Sequence, residues 1–157
     1  MLVGLGYDVH AFAKGEDLIL GGIEIEYDKG LLGHSDADVL LHSLMDALLG
    51  AMGAGDIGRL FPDDDPAYDG ISSLLLLKEV KQLMFKNGFS INNIDAVIIA
   101  QRPKLADYIY LMEQEIADVL EVETAKINIK ATTTEKLGFV GRQEGIAAET
   151  IVSLKKE

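Results

Sequence analysis

The fold of this chain is decided by its opening stretch, LVGLGYDVH, at residues 2–10. A short run with branched apolar residues is typical of a β-strand, and residues two apart on a strand point to the same face of the sheet. Gly4, Gly6, Asp8 and His10 therefore share one face. The two glycines leave that face uncluttered, and the two polar side chains project together at the end of the strand.

Four more segments are short and rich in Ile and Val, which predicts strands at Leu18–Tyr27, Ile94–Ala100, Lys126–Ala131 and Gly145–Leu154. Helices are predicted over Asp36–Met52 and Ser73–Asn87, and a third helix carries apolar residues at helical spacing, namely Ile109, Met112, Ile116, Val119 and Leu120. This alternation predicts an α+β fold, an α/β sandwich with one sheet of about four to five strands and three helices on one face. We expect a single domain over residues 1–157, because neither repeats nor linkers interrupt the chain.

The composition excludes several classes of function. Fourteen Lys and Arg against 26 Asp and Glu give a net charge of −12, which predicts a field that repels nucleic acid and anionic membranes. The absence of cysteine excludes disulfides, iron–sulfur clusters and Cys-type zinc sites, so His and carboxylates are left as metal ligands. No apolar run reaches about 18 residues and the first residues lack the basic region of a signal peptide, so we expect a cytoplasmic protein.

A third histidine lies inside an apolar helix. His42 is flanked by VLL and SLM, and a histidine in such surroundings needs a partner. Asp38, His42 and Asp46 fall four residues apart and draw one polar stripe down the helix, which is costly unless something binds there. Asp8, His10 and His42 together would give zinc three protein ligands and an open fourth position, the pattern of a catalytic site.

The same residues have a simpler interpretation. Asp8 and His10 would then be a solvated or mutually hydrogen-bonded pair, and His42 a core histidine with an ordinary hydrogen bond. If the metal interpretation holds, Asp38 or Asp46 is expected to orient His42 from behind.

The residues before this helix suit an anion. In GHSDAD, residues 33–38, Ser35 is a predicted N-cap and Asp38 completes a box-like arrangement three positions later. Free N–H groups at a helix N-terminus favour phosphate, so His34 and Ser35 are candidates to face an anionic ligand.

Three loop segments carry further candidates. Residues 50–65 hold four glycines and end in FPDDD, which is either backbone that approaches a ligand or a turn-rich connection with solvated aspartates. AQRPKL at 100–105 and ATTTEK at 131–136 leave predicted strands, where ligands of α/β folds commonly bind. Glu135 is a candidate magnesium ligand, although threonines also favour an exposed strand end. GFVGR at 138–142 suits a phosphate or a surface ion pair.

Together these motifs resemble the 2-C-methyl-D-erythritol 2,4-cyclodiphosphate synthase family of the non-mevalonate isoprenoid pathway. The resemblance spans nearly the whole chain and rests on several motifs in one order: GYDVH at 6–10, GHSD at 33–36 with His42, GDIG at 55–58 through FPD at 61–63, AQRPK at 100–104 and KATTTEKLGF at 130–139. Tyr7 and Asp107 depart from the residues that family members often have there, namely Phe and Pro. Neither position is an expected ligand.

The resemblance implies a homotrimer with active sites between adjacent subunits, zinc on Asp8, His10 and His42, and a second divalent cation, Mg²⁺ or Mn²⁺, on Glu135. It also implies that His34 and Thr133 stabilise the transition state. The methylerythritol and phosphate region would be lined by His34, Ser35, Asp56, Ile57, Gly58, Phe61 and Asp63. Further expected substrate contacts are Asp8, Val9, His10, Pro62, Asp64 and Asp65. The cytidine pocket would be Ala100, Gln101, Arg102, Pro103, Lys104, Leu105 and Ala106 with Thr132, Thr133, Thr134 and Glu135, and Phe139 and Arg142 would reach the substrate near the trimer axis.

The implied reaction is intramolecular. The 2-phosphate of 4-diphosphocytidyl-2-C-methyl-D-erythritol 2-phosphate attacks the β-phosphorus, CMP leaves and a cyclic diphosphate forms. Two divalent cations would position and neutralise the phosphates, which reconciles such a substrate with a net charge of −12. Two other functions remain open on the residues: a zinc-dependent phosphohydrolase with the same three ligands, and a non-catalytic trimeric nucleotide-binding module.

Overall fold

The structure, a computed structural model, describes residues 1–62 and 64–157. Its main strands, in chain order, are β1 (Leu2–Ala13), β4 (Gly30–Leu31), β5 (Phe89–Ile99), β6 (Ile127–Thr132) and β7 (Gly145–Lys156). They form a five-stranded sheet in the order β4-β1-β7-β5-β6. β5 and β6 run parallel and the other neighbours run antiparallel, so the predicted α+β class with one main sheet is confirmed.

The predicted strand Leu18–Tyr27 is wrong as a single strand. It forms a hairpin of β2 (Leu18–Leu20) and β3 (Ile23–Ile25), which pair antiparallel apart from the main sheet. Gly21 and Gly22 make the turn with φ of 58° and 76°. A two-residue turn with positive φ at both positions favours glycine, so the Gly-Gly pair between two apolar runs was a hairpin signal.

Three long helices lie over the sheet: α1 (Val39–Met52), α3 (Ser73–Lys86) and α4 (Ile109–Leu120). α1 contacts β1 and β7, α3 contacts β5, and α4 contacts β6. The shorter helices are α2 (Ile57–Leu60) and α5 (Gly138–Gly141), with single 3₁₀ turns at Pro66–Tyr68, Ala106–Tyr108 and Thr124–Lys126. None of the helices in the described part of the chain is long and apolar enough to cross a membrane.

The predicted start of α1 is also wrong. The N-cap is Asp38 and not Ser35, because the Asp38 carboxylate accepts the N–H of Leu41 at 3.0 Å. Helical backbone therefore begins at Val39, three residues later than the expected Asp36. Ser35 remains in the preceding loop, where its hydroxyl accepts the N–H of Ala37 at 3.3 Å and lies 3.1 Å from His42 Nε2.

Two glycines let α1 lie directly against β1. A Cβ atom on Gly4 would lie 1.9 Å from the carbonyl oxygen of Ala47, and one on Gly6 would lie 1.9 Å from that of Ser43. Any side chain at these positions would push the helix away from the strand. The close approach is what brings His42 of α1 over the end of β1.

The sheet face opposite the helices carries exposed apolar side chains along β1 and at Ile151 of β7, which lies between Glu149 and Ser153 on that face of β7. Val3, Leu5, Tyr7 and Val9 alternate with the helix-facing residues of β1, and each is at least 44% exposed. Ile151 on the paired strand is 48% exposed. A contiguous apolar face of this kind is typical of a surface that another protein chain covers.

Candidate metal centre and substrate cavities

Asp8, His10 and His42 come together as one cluster, here called the triad. Asp8 Oδ2 lies 3.0 Å from His10 Nε2 and 3.1 Å from His42 Nδ1, and the two nitrogens lie 3.2 Å apart. Ligand atoms on a tetrahedral zinc, with bonds of about 2.0–2.1 Å, lie about 3.3 Å from one another. The triad therefore fits zinc in both donor type and spacing.

The outer nitrogen of each triad histidine is already engaged. His10 Nδ1 lies 2.8 Å from the carbonyl oxygen of Leu32, and a carbonyl can only accept, so Nδ1 carries the hydrogen. In the neutral ring, His10 Nε2 then presents a lone pair to the other triad atoms. His42 Nε2 lies 3.1 Å from the hydroxyl of Ser35 and 3.0 Å from that of Ser73.

The expectation that Asp38 or Asp46 orients His42 is wrong. The carboxylate of Asp38 accepts the N–H groups of Gly21, Gly22 and Leu41, and so ties the β2–β3 turn to the start of α1. Asp46 accepts the N–H of Ile57 at 2.8 Å and so holds the start of α2. Both aspartates lie on the predicted polar stripe of α1, but their carboxylates accept hydrogen bonds from backbone N–H groups.

The environment of the triad shifts the pKa of Asp8 down and the pKa of His10 up. Burial alone would raise the pKa of the Asp8 carboxyl, but hydrogen bonds to His10 and His42 and their charges lower it to about 2. Burial opposes a charge on His10, yet its hydrogen bond to Asp8 raises the His10 pKa overall. Asp8 is therefore a carboxylate at neutral pH, in the form that a metal requires.

A cavity of about 300 Å³ opens beside the triad; we call it the metal cavity. Besides the triad, its lining includes several of the residues predicted to bind substrate: His34, Ser35, Ile57, Gly58 and Phe61. Leu32, Gly33, Tyr68 and Leu76 complete it, and sequence reasoning had not selected them. Leu32, Tyr68 and Leu76 are neutral residues outside the motifs, so no signal marked them, whereas Gly33 opens the GHSD motif but has no side chain to bind substrate.

The remaining candidates near this cavity have other positions. Asp56 is the N-cap of α2 and accepts the N–H of Arg59, so it supports Ile57 and Gly58 without lining the cavity. Asp65 caps the turn at Pro66–Tyr68. The side chain of Val9 is on the sheet face opposite the triad, because it is an odd-numbered residue of β1. Pro62 and Asp64 are not among the lining residues, and Asp63 lies outside the described residues.

A second cavity, of about 670 Å³, lies where β5 and β6 end; we call it the strand-end cavity. Its lining holds most of the predicted cytidine pocket: Ala100, Gln101, Pro103, Lys104, Leu105, Ala106, Thr132, Thr133 and Glu135. The side chain of Gln101 accepts the N–H of Lys136 at 3.0 Å, which ties the two loops together. The Thr133 hydroxyl donates to Glu135 at 3.0 Å.

Strand register places the two cavities at the same end of the sheet. Asp8 pairs with Ala148, Ala148 with Ile98, and Ile98 with Ala131. Three strand spacings separate the first and last of these strands, about 14 Å. Among the described residues, the two cavities share no lining residue. His34 and Thr133, predicted to act together, therefore lie in different cavities of one chain.

Four further candidates, like those just described, line neither cavity: Arg102, Thr134, Phe139 and Arg142. Thr134 donates its hydroxyl to the carbonyl of Leu137. Arg142 forms an exposed ion pair with Glu144 at 2.9 Å, which is one of the two interpretations that its sequence context allowed. Phe139 is 38% exposed at the start of α5.

The helix-backed sheet and the Asp-His-His triad define the chain as an α+β protein with a candidate metal centre whose three residues line a cavity. The sequence model of the YgbB family matches residues 1–155. The chain is 62% identical to the 2-C-methyl-D-erythritol 2,4-cyclodiphosphate synthase of Agathobacter rectalis, over 98% of this chain and 87% of that protein. It is 61% identical to the protein of the same name from Clostridium botulinum, over 100% of both.

Solved structures of similar proteins superpose closely on this chain. The bifunctional IspDF of Campylobacter jejuni superposes with a TM-score of 0.96 at 47% identity, over 99% of this chain and 42% of that protein. IspF of Plasmodium falciparum in complex with CDP superposes with a TM-score of 0.87 at 33% identity, over 99% of this chain and 96% of that one. The chain therefore belongs to the YgbB family. It is an enzyme with the cyclodiphosphate synthase function of isoprenoid biosynthesis.

Proposed function

We propose that the chain performs this function with zinc on Asp8, His10 and His42 and a second divalent cation, Mg²⁺ or Mn²⁺, on Glu135. The substrate is 4-diphosphocytidyl-2-C-methyl-D-erythritol 2-phosphate, and the products are 2-C-methyl-D-erythritol 2,4-cyclodiphosphate and CMP. The observation that carries the proposal is the triad, whose three donor atoms lie 3.0–3.2 Å apart while the outer nitrogen of each histidine is bonded elsewhere. Zinc, when bound, supplies positive charge that neutralises phosphate oxygens in the transition state.

The metal cavity is proposed to hold the methylerythritol and phosphate part of the substrate. His34 borders it, with Nε2 3.5 Å from the carbonyl oxygen of Asp65 and Nδ1 3.9 Å from the Asp69 carboxylate. These long contacts leave the imidazole able to turn and donate a hydrogen bond to a phosphate oxygen. Phe61 is buried against Tyr68 and gives the cavity an apolar wall for the methyl-bearing carbon chain.

The strand-end cavity is proposed to hold the cytidine diphosphate part. The CDP complex of the Plasmodium falciparum relative supports a nucleotide ligand. Thr132 and Thr133 offer hydroxyl groups, and Glu135 offers a carboxylate for the second cation. A cation on Glu135 would take over the oxygen that now accepts the Thr133 hydroxyl, so that this hydroxyl could donate to the transferring phosphate instead. Lys104 lines the same cavity and adds a positive charge.

We further propose a homotrimer in which the metal cavity of one subunit faces the strand-end cavity of the next. Two observations support an assembly: the exposed apolar face of β1 and β7, and two cavities that share no lining residue in the described part of one chain. Phe139 and Arg142 would then lie near the trimer axis. The family match over residues 1–155 supports one catalytic domain for each subunit.

Phosphorus NMR tests the reaction and its metal dependence. The purified protein, incubated with the substrate and Mg²⁺, should release CMP together with a cyclic diphosphate, and a zinc chelator should stop both. Production of linear phosphates alone would identify a phosphohydrolase, which also differs by incorporating oxygen from labelled water. Binding of CDP without turnover would identify a nucleotide-binding module.

Mixing two impaired variants, at a Mg²⁺ concentration too low for Glu135→Gln to be active, tests the shared site. When the His42→Ala and Glu135→Gln proteins exchange subunits, some mixed trimers contain an interface at which one subunit provides an intact His42 and its neighbour an intact Glu135. The mixture should therefore recover part of the activity. If each chain carried a complete site, every site would keep one defect and the mixture would stay as inactive as its parts.

A further inference from the structure

A buried serine lies directly behind the triad. Ser73 is the first residue of α3, and the residue is fully buried. Asp36, in the loop before α1, accepts both of its hydrogen-bonding hydrogens: the backbone N–H at 2.9 Å on Oδ2 and the hydroxyl at 2.5 Å on Oδ1. The serine is therefore held at two points by one carboxylate.

This arrangement determines the direction of the next hydrogen bond. A serine hydroxyl has one hydrogen, and a carboxylate can only accept, so the Ser73 hydrogen points to Asp36. The Ser73 oxygen is left as an acceptor, and it lies 3.0 Å from His42 Nε2. The hydrogen of that bond must come from the imidazole.

The direction of the bond also determines which nitrogen of His42 can bind a metal. A neutral imidazole carries one hydrogen, so a hydrogen on Nε2 leaves the lone pair on Nδ1. Nδ1 is the nitrogen that lies 3.1 Å from Asp8 and 3.2 Å from His10. The chain from Asp36 through Ser73 therefore favours the tautomer of His42 in which the lone pair faces the triad.

Ser35 also lies within hydrogen-bonding distance of His42 Nε2, at 3.1 Å, but it is less constrained. It is only partly buried, belongs to the loop that lines the metal cavity, and accepts the N–H of Ala37 at 3.3 Å. Among residues 1–62 and 64–157, no carboxylate accepts the hydrogen of its hydroxyl. Ser73 is the better-defined partner.

We propose that Asp36 and Ser73 are positioning residues for the metal centre: Asp36 orients the Ser73 hydroxyl, and Ser73 holds His42 with Nδ1 toward the metal. The proposal rests on the zinc site of the proposed function. His10 has an equivalent partner in the carbonyl of Leu32, which is backbone, so His42 is the ligand whose support a substitution can remove directly. Removal of such a partner typically weakens metal affinity by about 10- to 100-fold.

The test compares two buried serines in the full-length protein. Ser73→Ala should weaken zinc binding by about 10- to 100-fold, measured by competition with a chromogenic chelator. The matched control is Ser43→Ala, because Ser43 is also fully buried and is adjacent to His42, but its hydroxyl bonds to Leu40 and Thr150. The control should bind zinc like the unsubstituted protein. Asp36→Asn should weaken zinc binding as well, since an amide has only one oxygen to accept both hydrogens of Ser73.

A second readout does not require zinc. The chain has three histidines, so nitrogen NMR of the metal-free protein with ¹⁵N-labelled histidine can follow each ring. At about pH 8, where imidazoles are ordinarily neutral, Ser73 on Nε2 and the Asp8 carboxylate on Nδ1 compete for the hydrogen of His42, and a measurable fraction of His42 should carry it on Nε2. Ser73→Ala should increase the fraction with the hydrogen on Nδ1, while Ser43→Ala should not.

The outcomes separate this proposal from the zinc site itself. If the unsubstituted protein takes up no stoichiometric zinc, the zinc site is wrong and the proposal fails with it. If the unsubstituted protein binds zinc and a folded Ser73→Ala protein binds it equally tightly, only the positioning role is wrong. A ratio of the two His42 tautomers in the metal-free protein that Ser73→Ala leaves unchanged would also overturn it. Equal losses of zinc affinity in Ser73→Ala and Ser43→Ala would show that both substitutions act through general destabilisation. That result would also overturn the positioning role of Ser73.

Discussion

The metal cavity and the strand-end cavity lie at the same end of one sheet but are built differently. The triad projects from β1 and α1, two regular elements in direct contact, and its side chains are only 10–24% exposed. The strand-end cavity is formed by loops that follow β5 and β6, and residues 131–133 and 135 are exposed. The first cavity is organised by packing within one chain, whereas the second depends on short loop contacts that a ligand, a cation or a neighbouring subunit can complete.

Removal of a triad ligand should have the largest effect, because it disrupts the preorganised cavity. His42→Ala leaves two protein ligands, too few to hold zinc firmly, and should lower the rate of CMP release by roughly two orders of magnitude or more. Elemental analysis and a CMP-release assay measure the two consequences. A variant that kept stoichiometric zinc would refute the assignment of His42 as a ligand.

Separating α1 from β1 should be the next most damaging change. Gly6→Ala places a Cβ atom 1.9 Å from the carbonyl of Ser43, and the forced shift should lower the free energy of unfolding by about 1–3 kcal/mol or more. Urea denaturation measures it, and zinc affinity should fall with it because His42 moves with the helix.

Gly50→Ala is the matched control for that change. Gly50 is an exposed residue of α1, and the nearest heavy atom to its added Cβ is 4.0 Å away. Alanine is the better helix former by about 0.5–1 kcal/mol, so this variant should be as stable as the parent or more stable. Equal destabilisation by the two substitutions would contradict the close approach of helix and strand.

A change in the strand-end cavity should have a smaller and more selective effect. Glu135→Gln keeps the shape of the side chain but loses its charge, so the Mg²⁺ concentration needed for half-maximal activity should rise by about tenfold. Zinc content should stay the same, since Glu135 and the triad line different cavities. A Mg²⁺ titration identical to that of the parent would remove Glu135 from the metal-binding residues.

The smallest expected effect is the contribution of Asp38, which ties the β2–β3 turn to the start of α1, to the pH dependence of stability. Burial raises the pKa of Asp38 to about 6, although three N–H donors oppose the rise. Because this value lies above the ordinary 3.8, the folded protein holds the Asp38 proton more tightly than the unfolded chain does. The stabilisation linked to that proton is therefore present below about pH 4 and is lost as the pH rises through about 6.

Asp38→Asn isolates this contribution, because asparagine does not titrate and the other groups are common to both proteins. The stability of the variant relative to the parent should rise between about pH 4 and about pH 7, as measured by urea unfolding at several pH values. The variant itself should be less stable, since an amide nitrogen cannot accept one of the three N–H groups. A relative stability that falls over this range would show that the Asp38 pKa is not raised.

The triad could be predicted because its signals are local. Alternation along β1 puts Asp8 and His10 on one face, and His42 stands out as a polar residue in an apolar helix. The three long helices were expected within a few residues of their observed bounds, since following glycines mark the ends of α1 and α3 and apolar spacing marks α4. The hairpin at Gly21 and Gly22 was missed because apolar residues on both sides resemble one continuous strand.

The support of the triad could not be predicted. Ser73 lies 31 residues from His42 along the chain, and only the packing of α3 against α1 brings its hydroxyl to the imidazole. Asp38 and Asp46 had the right spacing for this role but bond to backbone N–H groups. Spacing along a helix shows which side chains share a face, but it does not show which donors the next element presents to them.

Local sequence patterns were enough to predict the α+β class, the shared face of Gly4, Gly6, Asp8 and His10, and the three metal-ligand candidates. These follow from periodicity and side-chain chemistry, which are properties of neighbouring residues. Three further features became visible only in the folded chain. The helix α1 lies against the glycines of β1, and Ser73 and Leu32 contact the outer nitrogens of the histidines. The predicted substrate residues divide between two cavities. Those outcomes depend on contacts between residues far apart in the chain, because packing and strand register, not local pattern, bring such residues together.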